Sequence, residues 1–142
     1  MAHNILHDLV IKVAPKQVFD AVTQPEHLNN WWTLKSSGQP ELGAEYNLNF
    51  TDKYDWYCKV SEVVPNQSFY LKMTQSDPDW MPTTFGFNLK NHDNGTLVEF
   101  SHNDWQSNSH HFRHSTYCWA LLLKGLKQYL ENHIILPFEA RG

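Results

Sequence analysis

Residues 109–132 read "SHHFRHSTYCWALLLKGLKQYLEN". Phe112, Thr116, Trp119, Leu123, Leu126 and Leu130 recur at steps of three and four, the spacing of one continuous apolar stripe on an α-helix. A helix of about 24 residues is about 36 Å long, enough to cross a sheet. Pro137 lies beyond its end. A stripe of that length needs an apolar surface to cover it, and the rest of the chain supplies one.

Upstream, apolar and polar residues alternate with period two, the pattern of half-buried strands. Ile5, His7, Leu9, Ile11 and Val13 share one face of a first strand. Tyr46, Leu48 and Phe50 do so in a second, and Trp56, Cys58 and Val60 in a third. Phe69, Leu71 and Met73 follow, then Phe85, Phe87 and Leu89, then Val98, Phe100 and His102. Turn residues separate these runs: "VPNQ" near Pro65, "SDPDW" near Pro78, and "NHDNG", whose Asn94–Gly95 pair tolerates positive φ. Between the first two strands, "APKQVFDAV" and "EHLNNWW" read as short helices, with Pro15 suited to a first helical turn. Antiparallel hairpins leave one sheet face apolar, and the C-terminal helix is the only element long enough to cover it. The expected fold is α+β: a curved antiparallel sheet of about six or seven strands wrapped around a long C-terminal helix, with two short helices after the first strand. Residues 1–142 are read as one domain.

Composition narrows the function. The chain has 142 residues, 41% hydrophobic and 18% charged, as in a globular protein. The net charge is −4 and the cations are scattered, which argues against nucleic acid as a partner. No run approaches the roughly 20 apolar residues of a membrane span, and the N-terminus does not resemble a signal peptide. Cys58 and Cys118 have neither metal-type spacing nor a disulfide framework, so reduced thiols and a cytoplasmic location are expected. G-x-S-x-G, H-E-x-x-H and P-loop motifs are absent. Aromatics reach 14%, with six Trp.

Four histidines lie between residues 101 and 119. On a helical wheel His110 and His114 fall at about 160° and 200° from Phe112, opposite the stripe and toward solvent. As an i, i+4 pair they could share a metal, but no third ligand is evident, so no metal is assigned. His111 lies at the stripe's border and is read as edge packing. His102 shares a strand face with Phe100 and points inward. Three roles stay open for it: a core histidine satisfied by hydrogen bonds, a polar handle for a ligand, or a base. "HND" at 102–104 is read as a turn, and no residue is assigned as catalytic.

Four motifs carry a family resemblance: "IKVAPKQVFDAVTQPEHLNNWW" (11–32), "CKVSEVVPNQSFYLKM" (58–73), "GTLVEFSHNDW" (95–105) and "CWALLLKGLKQYLE" (118–131). Together with the element order they resemble the helix-grip fold of the START/Bet v 1-like (SRPBCC) superfamily, in the branch named after the activator of Hsp90 ATPase. The "SNSHHFRH" segment departs from the family pattern in being more polar and richer in histidine. The resemblance implies a ligand held between sheet and helix. Transferred to matching inward positions, it implicates Tyr46, Phe50, Trp56, Phe69, Phe85, Phe87, Phe100, His102 and Trp119, with Trp31 and Trp32 at the cavity mouth. The leading expectation is a small apolar or aromatic ligand bound by burial, with no covalent chemistry and no cofactor. His102 and Tyr46 would orient the ligand. A co-chaperone module contacting an Hsp90-type ATPase is the second expectation, and a polyketide cyclase-like enzyme the third. The superfamily hosts too many activities for the fold alone to choose among them.

Overall fold

The computed structural model describes residues 2–141. Its chain order is β1 (His3–Ile11), α1 (Pro15–Thr23), α2 (Pro25–Trp31), β2 (Lys35–Ser37), β3 (Glu45–Thr51), β4 (Tyr54–Val64), β5 (Ser68–Gln75), β6 (Thr84–His92), β7 (Gly95–Trp105) and α3 (His110–Asn132). Short 3-10 turns occur at Pro78–Trp80 and Phe138–Ala140. The strands form one antiparallel sheet in the order β1-β7-β6-β5-β4-β3-β2. From β2 to β7 the sheet is a meander. β1 joins it beside β7, with Ile11 opposite Thr96 and Leu9 opposite Val98.

The alternating residues face as their spacing requires. Tyr46, Leu48, Cys58, Val60, Phe69, Leu71, Met73, Phe85, Phe87, Leu89, Val98, Phe100 and His102 are all buried on the side that α3 covers. On α3 the buried residues are Ser115, Trp119, Leu123 and Leu126, with Phe112 and Leu130 half-buried at its two ends. Pro15 and Pro25 stand in the first turns of α1 and α2, and the Ala14 amide donates to Gln17 Oε1 at 3.2 Å. His133 closes α3 in a left-handed conformation (φ 57°). Polar ties fasten α3 to β1. Lys127 Nζ donates to the Val10 carbonyl at 2.6 Å, and the Lys12 amide donates to Glu131 Oε2 at 2.7 Å.

Register slips interrupt the alternation in β3 and β4, and two further features depart from it. The β2 strand, "KSS", has no apolar face of its own and forms by pairing with β3. The "HND" segment does not turn. It continues β7, with Asp104 at φ 71° and the register slipping between the Ile5–His102 and His3–Trp105 pairs. The slip works as a bulge, which re-aims the following side chain. Trp105, outward by simple alternation from His102, is 1% exposed. In the β6–β7 turn the left-handed residue is Asn94 alone, and Gly95 already belongs to β7. A Cβ at Gly95 would lie 2.5 Å from the Ile11 carbonyl oxygen, so β1 approaches there only because the residue is glycine.

Tyr46 joins β3 to the helical layer. Its hydroxyl donates to the Thr23 carbonyl at 2.7 Å, and burial pushes its phenol up from the ordinary range. Removing that hydroxyl leaves a buried carbonyl without its donor. Tyr46→Phe is therefore expected to lower stability by about 1–2 kcal/mol. The check is a lower urea midpoint with unchanged slope. A midpoint equal to wild type would show that the bond contributes nothing net.

Candidate functional site

The space between sheet and helix is occupied largely by rings. Trp119 of α3 lies 4.4 Å from Phe100, 5.1 Å from Trp32 and 5.6 Å from Phe85, centroid to centroid. Trp80, carried by the 3-10 turn after β5, packs 4.7 Å from Trp56 and 4.5 Å from His102. Trp105 closes the group 4.8 Å from His102. Tilted and edge-on arrangements dominate these pairs, as the ring quadrupoles favour.

His102 is the polar centre of this cluster and is 0% exposed. Trp119 Nε1 donates to its Nδ1 at 3.0 Å, so the ring proton sits on Nε2, 2.9 Å from Thr83 Oγ1. The Thr83 hydroxyl in turn donates to the Trp80 carbonyl. Both ring nitrogens are thus engaged within the protein. Burial, with the neighbouring His111 adding to it, pushes the imidazole down to about 3, and it is neutral at physiological pH.

One end of the ring cluster opens into a cleft of about 440 Å³. Its walls come from five places: Trp32 after α2; Phe50, Thr51, Tyr54 and Trp56 of the β3–β4 hairpin; Asp77 and Trp80; His111, His114, Ser115, Cys118, Trp119 and Leu122 of α3; and Phe138. Phe138 is held there by the returning C-terminal segment. Arg141 Nη1 donates to the Asn29 and Thr33 carbonyls at 2.8 and 3.1 Å, and Nε donates to Leu136 O at 2.9 Å. At the rim, His111 Nδ1 lies 3.0 Å from Asp79 Oδ2, and His114 Nε2 lies 3.3 Å from Cys118 Sγ. Trp80 Nε1 has no hydrogen-bond partner among the described residues.

Of the eleven residues expected at a ligand site, Trp32, Phe50, Trp56 and Trp119 meet at this cleft. The other seven lie elsewhere. Phe85, Phe100 and His102 form the packed layer behind Trp119. Phe87 packs beyond them at a tilt against Phe100, and Phe69 packs against Tyr46 and Phe19. The hydroxyl of Tyr46 is used by Thr23. Trp31 is stacked on Trp32, but its Nε1 donates to the Ala21 carbonyl at 2.9 Å and it lies off the main cleft. An inward-facing strand residue is buried whether or not a ligand lies above it, so period two alone does not separate the floor of a cleft from the core.

Sequence reasoning missed Trp80, Trp105, Thr83, Cys118, Leu122 and Phe138. Trp80 sits in "SDPDW", which reads as a turn, yet a tryptophan in a polar turn is itself a sign of inward anchoring. Cys118 precedes Trp119 by about 100° of helix, a quarter turn off the core stripe. That flank faces the cleft. His114 is therefore exposed as expected, and also forms part of the cleft wall. His110 stacks on it at 5.9 Å. No set of three or more potential metal ligands occurs among the described residues.

Comparison with known proteins places this geometry. The family model described as activator of Hsp90 ATPase homolog 1-like protein matches residues 12–131. The chain belongs to this family. Among the structures similar to this Hsp90 ATPase activator-like chain is the Aha1 dimer from Colwellia psychrerythraea, 30% identical with a TM-score of 0.84. That match covers 92% of this chain and 97% of the other. A Staphylococcus saprophyticus protein is 20% identical with a TM-score of 0.81, covering 94% and 96% of the two chains. CalU16 from Micromonospora echinospora is 16% identical with a TM-score of 0.75, over 93% of this chain and 78% of its own. The last two share the fold alone. No curated protein matches the chain. Among the described residues, no helix of this activator-like fold is long and apolar enough to cross a membrane.

Proposed function

We propose that the protein binds a small apolar or aromatic molecule in the cleft beside Trp32, Trp56, Trp80 and Trp119. The observation that carries this reading is the cleft itself: about 440 Å³ with mostly aromatic walls, within the range that suits a drug-sized ligand. Affinity would come from apolar burial, at about 25 cal/mol per Å² removed from water. Polar groups are few and lie at the rim, where Asp77 and the histidines would orient the molecule. His102 supports the wall by fixing Trp119 and Trp80 and does not reach the ligand. The Trp31–Trp32 step would act as a hinge of the mouth, through Trp32.

Four tryptophans lining the cleft make binding visible. A flat aromatic ligand is expected to quench Trp fluorescence, and at a hundredfold excess over Kd to stabilise the fold by about 2.7 kcal/mol. A panel of flavonoids, polyketides and fatty acids that produces neither quenching nor a shift in Tm would overturn the reading.

The family match favours a second reading, a co-chaperone module that contacts an Hsp90-type ATPase. It would use the outer surface and leave the cleft free. Stimulation of such an ATPase by the purified protein, unaffected by a bound cleft ligand, is the result this reading expects.

A further inference from the structure

We propose that Cys118 and His114 form a nucleophilic thiol pair that captures flat α,β-unsaturated carbonyl compounds in the cleft. This rests on the cleft reading and departs from the expectation of burial without covalent chemistry. Both side chains line the cleft, one helical turn apart on α3, with Cys118 Sγ 3.3 Å from His114 Nε2. The i, i+4 spacing holds the two groups side by side whatever the ligand. Cys118 is half-buried beside Trp119, and its partial burial pushes the thiol up. A thiol so placed is protonated at neutral pH and attacks only when a base takes its proton. His114 Nε2 is at hydrogen-bond distance for that task. Cys58 gives the contrast: it is 0% exposed and lies off the cleft.

The step balances without a further reactant. The S–H proton passes to His114 Nε2, the sulfur forms a C–S bond to the β-carbon, and the C=C pair moves into the enolate. The imidazolium then returns the proton to the α-carbon. Nothing is oxidised or expelled. Aromatic walls select a flat, conjugated acceptor, and the compounds of this class meet both demands.

The test uses trans-chalcone, followed by intact mass and peptide mapping, with glutathione as the free-thiol reference. The expected result is one adduct per chain, on Cys118, formed at least tenfold faster than on glutathione at pH 7. Cys118→Ser should abolish it. His114→Ala and His114→Asn should each slow it about tenfold and make the rate climb steeply with pH, as thiolate replaces base-assisted thiol. His114 is exposed, so both variants should keep the wild-type circular dichroism. A wild-type rate no higher than glutathione, equal rates in wild type and His114→Ala, or an adduct on Cys58 would each overturn the proposal. Dihydrochalcone, which lacks the acceptor, separates the two readings. Quenching by it with no chalcone adduct removes this inference alone, whereas neither quenching nor adduct removes the cleft reading with it.

Discussion

Trp119→Ala is expected to destabilise the protein by about 3–5 kcal/mol, the range for removing a large buried ring. The indole is 2% exposed and touches Phe100, Trp32 and Phe85, so few neighbours can collapse into the space it leaves. The loss also strips His102 Nδ1 of its donor, which adds the desolvation of a buried acceptor. A stability of 5–15 kcal/mol is usual for a domain, so this one change consumes a large share. A fall in Tm of roughly 10–15 °C is expected for a chain of this size. Trp119→Phe keeps a six-membered ring in place but loses the N–H and the rest of the indole; about 1–3 kcal/mol is expected there. Thermal unfolding of both variants checks this. An alanine variant melting within a few degrees of wild type would mean that the ring layer is not what holds α3 to the sheet.

The second large effect is on pH. His102 sits at about 3 in the folded protein against 6.5 for an ordinary histidine, because burial penalises the charged ring. The unfolded chain therefore binds more protons than the native one between these two values. Stability is then complete above pH 6.5 and declines as pH falls through the window toward 3. The slope approaches about 1.4 kcal/mol per pH unit for one such group. The accumulated loss approaches about 5 kcal/mol. Glu131, held low by its hydrogen bond from Lys127, acts in the same direction but only below its ordinary 4.5. From pH 6.5 to 5 the Glu131 contribution is absent, and comparison with His102→Leu separates the part of the slope that belongs to His102. His102→Leu should be less stable at pH 7, because Trp119 Nε1 and Thr83 lose their partner, yet nearly flat across that stretch. Urea unfolding at half-unit intervals tests this. A wild-type curve flat from 6.5 to 5 would refute the neutral, buried assignment.

Most of the architecture could be read from the sequence because burial imposes a period. The seven-residue alternation of β3 and the stripe on α3 each identify an element, a face and a partner layer. Irregular backbone could not be read in this way. Trp105 reached the interior through a one-residue slip at Asp104, and nothing in "HNDW" distinguishes a bulge from a turn. The site was half legible for a related reason. Phe50, Trp56 and Trp119 lie on periodic faces and line the cleft, whereas Trp32 was implicated only through the family resemblance. Trp80 and Phe138 sit on 3-10 turns, and their positions depend on how distant segments fold back. The His114–Cys118 flank was hidden by a helical wheel drawn around a single stripe, although α3 presents two working faces to two different surroundings.

The pairing of β1 with β7 has a consequence for how the molecule comes to be folded. Ile11 finds its strand partner in Thr96, so the first strand synthesised has nothing to pair with until the last one exists. During synthesis the meander from β2 onward can assemble hairpin by hairpin, while the N-terminal segment waits. Closing so long a loop is slow compared with local pairing. The opening strand should accordingly be the last to gain protection from hydrogen exchange on refolding, and a nascent chain halted before Thr96 should hold it loose.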